Sequence, residues 1–200
     1  MGVVSALCAK IVGSENVFAF EANPALEQPI RKLYAANGVS PKLEICILAA
    51  ERGTARLNVS REFYTSSTAA IDDVIETVEV PTKSFAEVRS AIRPTFLIVD
   101  IEGGELELIR HAKLDGIRTI ILELHPRIIG ERGRDEVITL LRRARFRVDA
   151  AASTKSVIVH HRAFSREDMR VRRARLAALI RSSLRSLRNL NFGIVQRRRS

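Results

Sequence analysis

The chain has 200 residues, of which 46% are hydrophobic and 28% are charged, a composition typical of a globular domain and not of a disordered chain. The formal net charge is +10, but it is concentrated at one end. Residues 162–200 contain twelve arginines and two acidic residues, whereas residues 1–161 contain equal numbers of basic and acidic side chains. The sequence therefore predicts a neutral domain followed by a basic segment, and excludes a domain that is basic throughout.

The two cysteines give a prediction about location. Cys8 and Cys46 both lie in apolar patterns without metal-ligand or redox spacing, so we interpret them as buried free thiols in a reducing compartment. No uncharged run approaches the roughly 18 residues of a membrane-spanning helix. The apolar N-terminus has no basic leader, and Ala6 does not match the Ser or Thr of a myristoylation signal. The expected location is the cytoplasm.

The first half of the chain alternates between predicted helices and strands. In chain order these are a helix at residues 3–12 ended by Gly13, a strand at 17–20, a helix that begins at Asn23-Pro24 and ends at Asn37-Gly38, and strands at 42–48, 54–60 and 77–80. This alternation is typical of an α/β fold built from βαβ units around a parallel sheet.

The second half contains the most apolar strand. Residues 95–99 carry no charge, which predicts a strand buried on both faces inside a parallel sheet. The Ser84-Phe-Ala-Glu87 spacing is that of a capping box and predicts the helix before it. The remaining predicted elements are a helix to about residue 113, a strand at 117–124, a helix at 135–144, and strands at 146–150 and 156–161 that we expect to form an antiparallel hairpin at the sheet edge.

The pattern changes from Ser165 onward. Leucines and isoleucines at helical spacing alternate with arginines, which predicts a basic amphipathic helix followed by the arginines at 197–199. Three alternatives stay open for it: contact with an anionic membrane surface, contact with nucleic acid phosphates, and packing of its apolar stripe on the domain. With Phe164 and Phe192 as its two aromatic residues, the segment lacks stacking platforms, so we predict no specific nucleic acid partner.

Carboxylates follow three of the predicted strands, at Glu21, Asp100 and Glu123. Because the carboxyl ends of parallel strands meet at one edge of a sheet, we expect these acids to share a crevice. In nucleotide-binding units an acid after the second strand binds ribose hydroxyls, about 20 residues after a glycine turn. Gly2 lies 19 residues before Glu21, which fits the last glycine of such a turn.

Metal binding is the less favoured use of the acids near His125. Asp100, Glu102, Glu123 and His125 offer oxygen and nitrogen ligands, but no local ligand spacing indicates a metal, and we predict none. His125 itself has two interpretations, as a catalytic base and as a residue that holds the turn before a proline.

Several segments together resemble the FkbM-type methyltransferases. They are Val17-Phe-Ala-Phe-Glu-Ala-Asn-Pro24, Asn37-Gly38, Ile47-Leu-Ala-Ala50, Asp100-Ile-Glu-Gly103 with Glu105, and Leu122-Glu-Leu-His-Pro126. The resemblance covers roughly residues 2–161. It implies a class I Rossmann-like α/β fold with a mostly parallel sheet and an antiparallel edge hairpin. It also implies methyl transfer from S-adenosylmethionine to a hydroxyl group of a small molecule or glycan.

The resemblance implies two groups of site residues. Cofactor contacts are assigned to Gly2, Glu21, Asn23, Ala49 and Ala50, with Glu21 on the ribose and the two alanines near the adenine. The acceptor side is assigned to Asp100, Glu102, Glu123 and His125. Methyl transfer to a hydroxyl needs an aligned acceptor and removal of its proton, and Asp100 and His125 are the two candidate bases.

The resemblance also implies a part that this sequence lacks. Members of the family begin with a strand and a glycine-rich turn upstream of the first helix, and this sequence begins at that helix. We therefore expect a methyltransferase domain at residues 1–163 without its first strand and turn, and an arginine-rich amphipathic helix at 164–200. The alternatives to a truncated but ordinary enzyme are an inactive remnant and a non-catalytic module that binds anionic membrane or nucleic acid through residues 165–200.

Overall fold

The computed structural model describes residues 2–60 and 74–163, which form five α-helices and nine strands in an α/β arrangement, as predicted. The helices are α1 (Val3–Val12), α2 (Glu27–Ala36), α3 (Phe85–Ile92), α4 (Glu105–His111) and α5 (Pro126–Arg143). The strands are β1 (Phe18–Glu21), β2 (Lys42–Ile45), β3 (Ile47–Ala49), β4 (Gly53–Ser60), β5 (Val74–Ser84), β6 (Phe96–Val99), β7 (Thr119–Glu123), β8 (Phe146–Val148) and β9 (Val157–Arg162). The predicted basic helix at 164–200 lies outside the described residues.

The described residues divide into two compact units, one of residues 19–29, 43–60 and 74–163 and the other of residues 2–18 and 30–42. In the second unit, α1 has the predicted bounds and ends at Gly13, whose N–H donates to the Ala9 carbonyl at 3.0 Å. Ser5 Oγ and the Tyr34 hydroxyl form a hydrogen bond of 2.6 Å. This pair joins α1 to the C-terminal half of α2.

The strands form three sheets, with the orders β1-β2, β3-β5-β4 and β6-β7-β9-β8. The pairs β3–β5 and β6–β7 are parallel, whereas β4–β5, β7–β9 and β8–β9 are antiparallel. The predicted hairpin is present as β8 and β9, because a short connection between neighbouring strands requires antiparallel pairing. The described strands are thus mixed in direction and do not form the one mostly parallel sheet that we expected.

The strand predicted to be buried on both faces lies at an edge. Among the described strands, β6 pairs with β7 alone. Phe96 at its start is 42% exposed, whereas Val99 at its end is 3% exposed. An apolar run does not reveal how many neighbours a strand has, and one neighbour leaves part of β6 uncovered.

The main hydrophobic core of the larger unit lies between the β6–β7 sheet and helices α4 and α5. Its fully inaccessible side chains come from β7, the turn before it, and α5: Ile117, Ile120, Leu122, Val137 and Leu141. In β7 the buried residues alternate with partly covered ones, as in a strand with one face on the core. No helix among the described residues has both the length and the apolar character to cross a bilayer.

Among the element boundaries that differ from the prediction, two have a clear local reason. The expected strand at 42–48 is divided into β2 and β3 at Cys46, whose N–H donates to the Glu21 carbonyl at 3.0 Å. Helix α5 begins at Pro126, nine residues before the expected start at 135, and contains a non-helical residue, Gly130, at φ +72°. Proline at the first position of a helix needs no N–H partner, so the helix begins there.

The helix predicted from the capping box is present as α3, but the two hydrogen bonds of the box are not formed. Ser84 is the N-cap residue, but its side chain makes no capping hydrogen bond. Glu87 forms an ion pair with Arg52 instead of reaching back to the helix start. Cys8 and Cys46 are both free thiols, as predicted, but only Cys46 is buried as expected, whereas Cys8 is partly buried. Burial raises the pKa of each thiol.

Candidate active site

A tight turn with two acidic side chains follows β6. Asp100 has a side chain that is 56% exposed, and Glu102 adopts a left-handed backbone conformation at φ +40°. Gly103 follows at φ +96°, and a Cβ atom there would overlap the side chain of Ile128 on α5. The glycine is therefore needed both for its backbone conformation and for its lack of a side chain.

His125 follows the neighbouring parallel strand. Because Val99 of β6 lies opposite Leu122 of β7, the residues after both strands emerge at the same edge of the sheet. The His125 carbonyl accepts the N–H groups of Ile128 at 2.9 Å and Ile129 at 3.1 Å, so the first turn of α5 fixes its backbone. The strand and the helix start together hold the imidazole beside the turn after β6.

The structure brings together three of the four residues that we predicted on the acceptor side, namely Asp100, Glu102 and His125. His125 Nε2 lies 3.2 Å from Glu102 Oε2 and 4.0 Å from Asp100 Oδ1. One nitrogen or oxygen from each of the three residues lies within 4.8 Å of the others. We call Asp100, Glu102, Glu105 and His125 the acid–histidine cluster.

Glu105, to which sequence reasoning gave no role of its own, completes this cluster. It is the first residue of α4 and is fully buried. Its Oε1 accepts the Gly103 N–H at 3.1 Å and makes a short hydrogen bond with His125 Nδ1. The signal in the sequence was a third acid after Asp100 and Glu102, but an acid in the first turn of a helix is common on surfaces and does not indicate burial.

The environment of the cluster shifts two pKa values upward. Burial would lower the pKa of His125, but its hydrogen bond to Glu105 and the charges of Glu102 and Asp100 outweigh burial and raise it. Burial raises the pKa of Glu102, the charge of His125 opposes this, and the carboxylates of Asp100, Glu105 and Glu123 add to it. Three carboxylates thus surround one imidazole, and the cluster favours a positive charge, from a proton or from a cation.

Glu21, the predicted ribose ligand, ends β1. Its Oε1 accepts the Asn23 N–H at 2.9 Å. Asn23 is itself 1% exposed, and its side-chain oxygen accepts the Ala25 N–H at 3.0 Å, which caps the turn that leads into α2. Burial raises the pKa of Glu21, and the charge of Asp100 contributes to that rise, so Glu21 lies within electrostatic range of the cluster.

The other predicted residues lie on other elements of the chain. Ala49 ends β3 and is partly buried, Ala50 after it is exposed, and Glu123 ends β7. Gly2 belongs to the other unit, where it precedes α1 at φ +68° and a Cβ atom would lie 2.9 Å from Ile30 Cγ2. The assignment of Gly2, Asn23, Ala49 and Ala50 to a cofactor remains a prediction.

Comparison with known proteins identifies the family. Residues 3–148 match the family model described as the methyltransferase FkbM domain. The matched residues run from α1 to β8. No curated protein and no solved structure matches the chain. Since the family model covers well over half of the sequence, and includes the turn after β6 and the residues after β7, the chain belongs to the FkbM family of methyltransferases.

Proposed function

We propose that the protein transfers a methyl group from S-adenosylmethionine to a hydroxyl oxygen of a small molecule or glycan. Membership of the FkbM family supports methyl transfer. The observation that carries the proposal further is the meeting of Asp100, Glu102 and His125 just after two parallel strands, where open α/β sheets bind ligands.

The residues around Glu21 fit S-adenosylmethionine. A partly buried carboxylate at the end of a strand is suited to accept hydrogen bonds from the two ribose hydroxyls. Ala49 and Ala50 have small side chains, which would leave room for a flat base at the end of β3. When bound, the cofactor supplies an electrophilic methyl group on a positively charged sulfur.

The acid–histidine cluster contains side chains that can accept the proton of the acceptor hydroxyl. As the acceptor oxygen forms its bond to carbon, its O–H proton must pass to a base. With its proton on Nδ1 toward Glu105, a neutral His125 presents the Nε2 lone pair toward Asp100 and Glu102. Asp100 is the second candidate base, and its exposed side chain is accessible to an acceptor. The two carboxylates near Nε2 would also stabilise the imidazolium that forms.

The proposal is tested by calorimetric titration of the full chain with S-adenosylmethionine and with its demethylated product. We expect saturable binding of both, and at least about tenfold weaker binding by Glu21→Gln, since an amide is a poorer acceptor for two hydroxyl donors. Glu131→Gln, which removes an exposed acid on α5, is the matched control and should bind like the wild type. If the wild type gives no heat of binding and no thermal stabilisation with either compound, the proposed cofactor is excluded.

The acceptor and the location belong to the same proposal. Radiolabelled methyl transfer to a panel of hydroxylated small molecules and glycans would identify the acceptor class, and methylation of amines alone would contradict O-methylation. We expect the reaction in the cytoplasm, where Cys8 and Cys46 stay reduced.

A further inference from the structure

We propose that the acid–histidine cluster binds a divalent transition-metal ion, with Asp100, Glu102 and His125 as the ligands and Glu105 as the group that holds His125 in place. This inference differs from our expectation from the sequence, which favoured no metal. It rests on distances that sequence spacing did not reveal.

The geometry of the three side chains fits one ion. Divalent ions in proteins bind oxygen and nitrogen at about 2.0–2.6 Å, the longer distances being those of Ca²⁺, so ligand atoms that share an ion lie up to about 4–5 Å apart. The candidate ligand atoms of Asp100, Glu102 and His125 all lie within 4.8 Å of one another. The three come from the ends of two hydrogen-bonded parallel strands, a rigid base for a preorganised site.

Glu105 gives a second and independent indication. Metal-binding histidines commonly donate their other ring N–H to a carboxylate, which fixes the tautomer and directs the free nitrogen to the ion. Glu105 engages His125 Nδ1 in this way, and Nε2 then faces Glu102 and Asp100. Its other oxygen, Oε2, is buried and has no hydrogen-bond partner in the part of the chain that the structure describes.

The excess of negative charge in the acid–histidine cluster favours the binding of a cation. A fully buried carboxylate with an unsatisfied oxygen is costly unless positive charge lies close to it. The imidazole carries at most one positive charge, while Asp100, Glu102 and Glu105 carry up to three negative ones. With an ion on Nε2 and its proton on Nδ1 the imidazole is neutral, so a divalent ion would offset two of the three negative charges and polarise the imidazole toward Glu105.

The donor set narrows the choice of ion. Carboxylate oxygens suit Mg²⁺, Ca²⁺ and Mn²⁺, while imidazole nitrogen suits first-row transition ions. A set of two carboxylates and one imidazole therefore fits Mn²⁺, which we choose as the probe. Three protein ligands leave coordination positions that a substrate oxygen can occupy.

An ion at this position would refine the proposed reaction, and this step alone rests on the proposed function. An acceptor hydroxyl bound to the ion would lose its proton more readily, as water does on catalytic metals. Because the ion would occupy His125 Nε2, the proton would pass to the Asp100 oxygen that does not contact the ion. His125 would then be a ligand and Asp100 the base.

The test uses the full chain, freed of metal by a chelator and then titrated with Mn²⁺ alone. Binding is measured as the loss of the paramagnetic resonance signal of the free ion. We expect one ion per chain, and at least about tenfold weaker binding by Asp100→Asn and by Glu102→Gln. Both side chains are partly exposed, so both variants should fold. Glu105→Gln should keep the ligands and lose about 10–100-fold in affinity.

The matched control is His111→Gln. His111 Nε2 lies 2.9 Å from Glu107 Oε1 on the exposed face of α4, which makes it a histidine–glutamate pair outside the cluster. Absence of Mn²⁺ binding by the wild type at millimolar ion would overturn the proposal, and so would equal binding by His111→Gln, Asp100→Asn and Glu102→Gln.

Cofactor titration separates this inference from the proposed function. Mn²⁺ binding without S-adenosylmethionine binding would leave the metal site standing and refute the methyltransferase reaction. S-adenosylmethionine binding without Mn²⁺ binding would refute the metal site and leave the reaction standing.

Discussion

His125 and His160 have pKa values shifted in opposite directions, because their neighbours differ. His125 lies among carboxylates, which raise its pKa despite burial. His160 on β9 is 1% exposed, and burial lowers its pKa, with the nearby charge of His161 acting in the same direction. The strand pairing places His160 between Ile120 and Val148, an apolar setting that favours the neutral ring.

The first prediction concerns pH and His160. Its folded pKa lies below its unfolded value of about 6.5, so its contribution to stability is present above that pH and is lost as pH falls below it. His160→Leu should therefore make the free energy of unfolding less dependent on pH between about 7 and 5. Urea denaturation at several pH values measures this.

His111→Leu, at an exposed histidine on α4, is the control for the pH experiment. Its pH dependence should match the wild type more closely than that of His160→Leu. Equal pH slopes for the wild type and His160→Leu would show that His160 stays neutral in both states or charges in both.

At the scale of elements, the site depends on the turns that flank β6 and β7. The turn after β6 needs Gly103 at a positive φ and without a Cβ. The turn before β7 contains Gly116, which also has a positive φ but faces open space. A substitution at Gly116 therefore measures the cost of backbone strain alone, whereas one at Gly103 measures backbone strain together with steric overlap.

The second prediction compares alanine at these two glycines. Gly116→Ala should cost about 1–2 kcal/mol of unfolding free energy, the cost of a left-handed conformation for a residue with a Cβ. Gly103→Ala should cost about 1–3 kcal/mol more, because the methyl group also displaces Ile128. Urea denaturation measures both, and equal losses would mean that Ile128 moves aside without cost.

The third prediction concerns the core beneath the cluster. Leu122 is fully inaccessible in β7, three residues before His125, and Leu122→Ala should lower the free energy of unfolding by about 2–5 kcal/mol through lost burial and a cavity. Val148→Ala on β8, where the side chain is exposed, should change it by less than about 0.5 kcal/mol. Thermal or urea unfolding measures both changes. A small change in the free energy of unfolding for Leu122→Ala as well as for Val148→Ala would contradict the assignment of β7 to the core.

At the scale of the whole molecule, charge is separated along the sequence. The positive charge lies in residues 162–200, while the residues before them are neutral as a group. A segment that binds a polyanion through arginines releases counterions, so its binding weakens steeply with salt. The arginines at 197–199 form the densest part of that charge.

The fourth prediction tests contact with an anionic surface through this segment. Replacement of Arg197, Arg198 and Arg199 by glutamine should lower the salt concentration that elutes the protein from a heparin column and reduce the salt dependence of its binding to anionic vesicles. The same replacement at Arg132, Arg142 and Arg143, exposed arginines of α5, is the control with equal charge loss. Equal effects of the two triple variants would refute a specific role for the C-terminal segment.

The sequence by itself determined the features that depend on near neighbours in the chain. The bounds of α1, its end at Gly13 and the hairpin of β8 and β9 are confirmed, because capping and short connections act over a few residues. The helix predicted to begin at Asn23-Pro24 starts there as a 3-10 turn at Pro24–Leu26, and α2 itself begins at Glu27. The FkbM family was also recognisable, since its segments occur in a fixed order, and the family model confirms it.

Only the tertiary structure decided what depends on contacts between distant residues. Three features were not evident from the sequence: β6 has one neighbour among the described strands, those strands divide into three sheets, and Glu105 is buried against His125. An apolar run has the same composition with one neighbour or two, and an acid in a first helical turn has the same pattern whether exposed or buried. Twenty residues separate Glu105 from His125, and the parallel pairing of β6 with β7 brings their segments to one edge, where carboxylate and imidazole can form a site.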